Sequence, residues 1–357
     1  MSSVDIGLVT VTIPERRAAK KLLGVKGPGK KKRGKTYWES KIYSQRLDRD
    51  LTIVLTMIGK SGTKAATIET NRMIENYSPK VLFLVGIAAG LKKKVKLFDV
   101  VVSEQVLDYE AARLEKNRSI ARPDPYIPPF PILEDLAQFD EEESDWRDVF
   151  NKLIYSVSTK GALRRKQKVI KPELHKAVVA CGEKLIADGK FLSKLRLDRH
   201  EKIRAAEMEA SGFATACISR SNPLPWLVIR GVSDWGDPKK ANAPQYQAAC
   251  AAMTYFYVFA VNALSEETLA MHTIELDSNY FTNLTKKKKL SSSRIEDLPE
   301  SIRSAVCDVL ITGPKKIIHI AGQLGISIKM TENILATMVG EEIIQQTDGS
   351  YILLENT

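Results

Sequence analysis

Residues 80–90 read KVLFLVGIAAG, an unbroken apolar run that closes on two alanines and a glycine. Apolar side chains at consecutive positions, rather than alternate ones, predict a strand buried on both faces. Such strands lie in sheets covered by helices, so the run argues for an α/β domain. Its neighbours agree. VDIGLVTVTI (4–13) is another short β-branched run, and PERRAAKKLLG (14–24) after it reads as a helix, with Pro14 suited to its first turn and Gly24 to its end. LTIVLTMIG (51–59) and DVVVSEQV (99–106) read as further strands, while TKAATIETNRMIENY (63–77) has helical periodicity.

The middle of the chain is less regular. Proline-rich ARPDPYIPPFP (121–131) predicts loop or extended chain, DEEESD (140–145) a solvated acidic patch, and KPELHKAVVACGEKLIADG (171–189) an amphipathic helix. PWLVIRGVSDWGD (225–237) reads as a strand ending in a polar turn, and PQYQAACAAMTYFYVFAVNAL (244–264) as a long apolar helix that closes the domain. This divides the chain into a large domain over 1–264, a linker over 265–293 with its TKKKKLSSSR run, and a small module over 294–357. In that module DLPESIRSAVCDVLI, PKKIIHIAGQLG and SIKMTENILATMV read as short helices. EEIIQQTDGSYILL then reads as a hairpin around Asp348-Gly349. Three helices and a hairpin follow the order of a winged helix-turn-helix.

Composition narrows the function. The chain of 357 residues has a net charge of +11, and its mix of 44% hydrophobic and 27% charged residues is that of a globular protein. From Arg294 onward five basic residues face nine acidic ones, a net of −4, which leaves +15 on the preceding residues. Polyanions are therefore drawn to the large domain. The small module has the wrong sign for a DNA backbone, so protein contact is favoured there over DNA. Four scattered cysteines without a CxxC pair predict neither a zinc site nor a disulfide framework, and fit a reducing cytoplasm. Neither a signal peptide nor an apolar run of membrane-spanning length is found, which predicts a cytoplasmic protein without membrane partners.

One stretch is chemically odd. AAEMEASGFA (205–214) sets Glu207 and Glu209 one residue apart among small apolar residues, so they cannot share one solvated helix face. Buried carboxylates are costly unless paired. In open α/β sheets ligands gather at the carboxyl ends of strands. There this sequence presents Glu15, VGIAAG, EMEA and VSDWGD, in that order.

Together these stretches resemble the purine nucleoside phosphorylase/uridine phosphorylase superfamily. The resemblance covers residues 4–264 and is closest to the methylthioadenosine/S-adenosylhomocysteine nucleosidases and their bacterial multidomain, defence-associated relatives. It implies a nucleoside phosphorylase-like α/β/α domain with a mixed central sheet, beside the small C-terminal winged helix-like domain. The 24-residue step from Gly62 in SGTKAAT to Gly86 keeps the family's spacing.

The resemblance also implies roles. Glu15 is the acid that activates the attacking water, and Asp234 donates a proton to purine N7 with Ser233 orienting it. Ala88 and Ala89 lie in the loop beside ribose and base, Met208 packs under the ribose, and Glu209 accepts its 2′- and 3′-hydroxyls. Ile170 offers backbone hydrogen bonds to the base edge, although GALRRKQKVI (161–170) stands where relatives carry a Ser-Gly-Asp turn. Arg164, Arg165 and Lys166, with KGPGKKKRGK (26–35), read as either a solvated charge run or a funnel for substrate phosphates.

These parts suit N-glycosidic cleavage. Breaking that bond makes an oxocarbenium-like ribose and a purine that gathers negative charge. A carboxylic acid at N7 relieves the charge, and must stay protonated near neutral pH to do so. The implied activity is a purine N-ribosyl hydrolase releasing adenine from a nucleotide or nucleoside, a nucleotide-depleting effector in antiviral defence. No metal or organic cofactor is implied, and a homo-oligomer is. A phosphate-dependent phosphorylase on the same fold and a ligand-sensing DNA-binding regulator are the alternatives. TVTIPERR lacks the Gly-Asp-x-x-Arg phosphate loop of hexameric phosphorylases, which favours water as the nucleophile.

Overall fold

The computed structural model describes residues 3–116, 118–139, 145–155, 169–237 and 244–271, together with scattered positions between 310 and 353. Its core is a mixed sheet that begins as the sequence suggests. Strand β1 (Ile6–Thr10) is fully buried and leads into helix α1 (Ile13–Leu22), which has Pro14 in its first turn. The helix ends at Leu23, and Gly24 follows at φ +65°. Strand β4 (Arg49–Met57), helix α2 (Thr63–Tyr77), strand β5 (Val81–Gly90) and strand β6 (Val100–Asp108) follow. Strand β1 lies between β4 and β5 and is parallel to both, which explains its apolar residues on both faces.

Between α1 and β4 the chain makes a hairpin of β2 (Lys30–Lys32) and β3 (Lys35–Ser44), both antiparallel to their neighbours at the sheet edge. Beyond β6 come the short strands β7 (Ala112–Glu115), β8 (Arg118–Ala121) and β9 (Asp124–Tyr126), then helices α3 (Phe130–Gln138) and α4 (Trp146–Tyr155). The proline-rich stretch is thus extended only as far as its second half, where Phe130 opens a helix.

One expectation fails here. Residues 171–189 do not form a helix: Leu174–Cys181 is strand β10. Its AVVAC run lies between β6 and a strand β11 (Ile203–Glu207), parallel to both, and buried neighbours on either side outweigh the helical spacing of the flanking charges. Helix α5 (Phe191–Asp198) connects the two strands. Helix α6 (Ala210–Ile218), strand β12 (Trp226–Asp234), helix α7 (Gln245–Asn262) and the short α8 (Glu266–Ala270) complete the large domain.

The strands join in the order β11-β10-β6-β12-β5-β1-β4-β3-β2. In addition, β11 pairs antiparallel with β5 through Ala205–Gly90 and Ala206–Ala89. That pairing curls one half of the sheet into a closed ring of five strands, filled by Ala88, Val101, Ala177, Val179, Ala205 and Val232. Helices α1, α3, α4 and α7 cover one face of the sheet, while α2 and α6 cover the other. Helix α8 is fastened by Asp135 of α3, whose Oδ2 accepts from Ser265 N at 3.0 Å, Ser265 Oγ at 2.9 Å and Thr268 Oγ1 at 2.7 Å.

Near the C-terminus, β13 (Lys315–Lys316), β14 (Ile344–Thr347) and β15 (Ser350–Leu353) form a small antiparallel sheet. The acidic patch at 140–144, the basic LRRKQK at 163–168 and most of the proposed linker and three-helix order lie outside the described residues.

Candidate active site

The curl of the sheet brings the end of β11 beside those of β5 and β12, and β1 ends next to β5. Glu15 sits in the first turn of α1 and is 1% exposed. Its Oε2 accepts from the amides of Val11 and Thr12, each at 2.7 Å, and its Oε1 from the amide of Ile87 at 2.9 Å. A carboxylate held by three backbone donors from two strand ends has one orientation. Gly86 makes the arrangement possible. A Cβ there would collide with the Glu15 carboxylate and lie 2.5 Å from Arg230 Nη1.

The register of β12 on β5 slips at Ser233, between the Val232–Ala88 and Asp234–Ala89 pairs. Such a bulge re-aims the side chains that follow it. Asp234, 6% exposed, accepts from Ser233 Oγ at 2.8 Å and from the Gly236 amide at 2.8 Å. Ser233 also reaches Ala88 O at 3.4 Å, so Ala88, Ala89, Ser233 and Asp234 are neighbours, one step along β5 from Glu15.

The two acids of EMEA part company. Glu207 ends β11 and accepts from the amides of Glu209 and Ala210, both at 3.0 Å, and ion-pairs with Arg230. Glu209 is the N-cap residue of α6; its Oε1 accepts from the Gly62 amide at 3.0 Å. Met208, between them, is half-buried. Burial, then the nearby Glu207 charge, push the Glu209 carboxyl up to about 7, against the pull of Arg230 and the Gly62 amide. Burial disfavours the charge on Arg230, but Glu207, Glu209 and Glu15 more than offset it and raise its pKa.

Four expected residues stand differently. The Ile170 amide donates to Asn151 Oδ1 at 3.1 Å and its carbonyl accepts from Asn151 Nδ2 at 2.8 Å, so its one donor is already used. Arg164, Arg165 and Lys166 lie outside the described residues. The glycine-containing turn beside the cleft is instead Cys181-Gly182-Glu183, at the end of β10. There the Gly182 amide donates to Glu207 O at 3.2 Å, and Ile186 borders Gly236. Sequence reasoning passed over this turn because it assigned the segment to a helix. It also passed over Arg230, a lone cation in an apolar strand and fully buried. A charge in the middle of WLVIRGVSD needs a buried acid, which was the available signal.

Among the described residues one group could seat a metal. Ligand atoms of Asp99, Glu173 and His175 lie within 4.8 Å of one another. They already satisfy each other: Asp99 accepts from the Lys96 and Glu173 amides and meets His175 Nε2 at 2.9 Å, and Glu173 pairs with Lys96.

In this mixed sheet, carboxylates stand near the carboxyl ends of three strands, the region where open α/β sheets gather their ligands. The chain belongs to the phosphorylase superfamily, whose profile matches residues 5–257. Among curated proteins, the ATP nucleosidase Cap17 of Escherichia coli (strain KTE188) is 30% identical over 265 residues, covering 69% of this chain and 49% of that protein. The 5′-methylthioadenosine/S-adenosylhomocysteine nucleosidase of Actinobacillus succinogenes is 26% identical over 52% of this chain and 69% of its own. This chain therefore spans about half the length of the Cap17 relative. In fold it is similar to futalosine hydrolase of Helicobacter pylori, with TM-score 0.51, 17% identity and coverage of 72% and 97%. A Colwellia psychrerythraea nucleosidase in complex with adenine gives TM-score 0.51 at 20% identity, covering 73% and 95%. No helix among the described residues is long and apolar enough to cross a membrane.

Proposed function

We propose that the chain is a purine N-ribosyl hydrolase that releases adenine from an adenine nucleotide or nucleoside. The observation that carries this reading is the convergence of three carboxylates with different surroundings, Glu15, Glu209 and Asp234, around the ends of β1, β5, β11 and β12. In this reading Glu209 accepts the ribose 2′- and 3′-hydroxyls, and Met208 packs under the sugar. Asp234, oriented by Ser233, protonates purine N7 as the glycosidic bond breaks. Glu15 takes a proton from the attacking water. Arg230, whose Nη1 has no protein partner among the described residues, positions Glu207 and Glu209 from beneath. The backbone at Ile186, beside Gly236, meets the base edge in place of Ile170.

The basic balance of the large domain and the similarity to proteins named ATP nucleosidases favour a nucleotide, with the charges of LRRKQK and the β2–β3 hairpin drawing its phosphates. A role in depleting nucleotides during antiviral defence follows from that substrate. The C-terminal sheet and acidic balance fit a winged helix-like module that contacts protein, joined by a linker that begins beyond α8 rather than at 265 and runs to 293, and the enzyme works as a homo-oligomer in the cytoplasm. Incubation with adenine and guanine nucleosides and nucleotides, with and without phosphate, tests the reading. Phosphate-independent release of adenine supports it; strictly phosphate-dependent formation of ribose 1-phosphate selects a phosphorylase.

A further inference from the structure

The turn after β10 reaches the start of α2. Glu183 Oε1 accepts from the Thr63 amide at 3.1 Å and from the Thr63 hydroxyl, where α2 begins. The preceding residue, Gly62, donates its amide to Glu209 at 3.0 Å. Two carboxylates, Glu209 and Glu183, thus occupy two successive amides of one turn. Gly62 adopts φ +113°, and a Cβ there would lie 2.8 Å from Glu183 Oε2, so the backbone is shaped to admit the bridge. The far side of the bridge is anchored as well. The neighbouring Gly182 is packed against Tyr109 and Glu110, and Lys184 Nζ donates to Glu110 at 2.6 Å.

We propose that Glu183 is the residue that sets discrimination at the 5′ end of the substrate's ribose. This rests on the reading that Glu209 holds the ribose hydroxyls. Successive Cα atoms are about 3.8 Å apart, so the Thr63 donors lie one residue from the sugar-binding contact, within reach of the 5′ substituent. A 5′-phosphate offers the same anionic oxygens as a carboxylate and competes for the same amide and hydroxyl. It must displace Glu183, and the two negative charges repel until it does. A neutral 5′-hydroxyl does not face this competition. Exposed Lys60 and Lys64 flank the turn and receive the phosphate once Glu183 has left.

The test compares adenine release from ATP, AMP and adenosine by the full chain and by Glu183→Gln and Glu183→Ala. Both variants should lower KM for ATP and AMP by about 10-fold, the scale of one charged hydrogen-bond competitor, while changing KM for adenosine by less than about 2-fold. Equal changes for all three substrates, or a rise in KM for the nucleotides alone, would overturn the proposal. Calorimetric binding of AMP and adenosine, measured in an Asp234→Asn background with and without Glu183→Gln, separates this claim from the hydrolase reading. Selective tightening of AMP without base release by the wild type sinks only the hydrolase. Base release with an unchanged AMP-to-adenosine affinity ratio sinks only the role of Glu183. Absence of binding by either compound counts against both.

Discussion

Arg230 connects the two acids of the EMEA stretch: its guanidinium ion-pairs with Glu207 and stands 3.8 Å from Glu209. All three are buried, and Arg230 is fully so. The arrangement turns a cluster of negative charge, costly in a protein interior, into a cleft floor of fixed geometry.

Removing that cation alone should be severe. Arg230→Met leaves Glu207 buried without its partner and is expected to cost about 3–5 kcal/mol in denaturant unfolding. Adding Glu207→Leu should recover much of the loss while activity stays low, because Glu209 remains misplaced. Unchanged stability in the single variant would show that the ion pair contributes little.

Glu209 gives the cleft a pH signature. Its carboxyl is raised from an ordinary 4.5 to about 7, first by burial and then by Glu207. Between those values the folded chain holds a proton that the unfolded chain releases, so the contribution of Glu209 to stability is full below about 4.5 and is lost as pH rises through about 7. The loss is on the order of 3 kcal/mol. Glu209→Gln should therefore melt higher than wild type at pH 8, with the difference shrinking toward pH 5. A constant difference across that range would contradict the raised value.

Gly86 is predicted to accept no side chain. Gly86→Ala forces the Glu15 carboxylate or Arg230 aside and should reduce the rate by on the order of 10²-fold, the effect of a misplaced catalytic group. Gly24→Ala, remote from these side chains and with open space around its α-carbon, is the control: its φ of +65° makes the variant less stable, but the rate should stay near wild type. Equal activity of the two variants would remove Gly86 from the account.

A chain ending at residue 290 should stay folded and keep its basal chemistry. It retains the sheet, α7, and the Asp135 contacts that hold α8. Loss of cooperative unfolding in this fragment would mean that residues beyond 290 stabilise the large domain.

How much of this could be read from the chain alone depended on local consistency. The apolar runs of β1, β5 and β12, the Pro14 start and Gly24 end of α1, and the periodicity of α2 state their structure within about 15 residues. Glu15, Glu209 and Asp234 are singled out by the resemblance of their motifs to the superfamily, not by the elements alone. Strand β10 was hidden because its buried AVVAC core is short and lysines and glutamates at helical spacing flank it. The β2–β3 hairpin was hidden by the lysines that protect a sheet edge from pairing. The partnership of Arg230 with Glu207 joins β11 and β12, strands consecutive in the chain but not paired in the sheet, and the curl through the β5–β11 pairing brings them together.

The central claim is hydrolysis by the pair Glu15 and Asp234. Chromatographic measurement of adenine released from ATP and adenosine in phosphate-free buffer, by wild type, Glu15→Gln and Asp234→Asn, tests it most directly. The account predicts release by the wild type and a fall on the order of 10²-fold or more in each variant, since each replacement keeps the side-chain shape and removes the acid or base. Release at the wild-type rate by both variants, or none by the wild type from any purine compound, would contradict it.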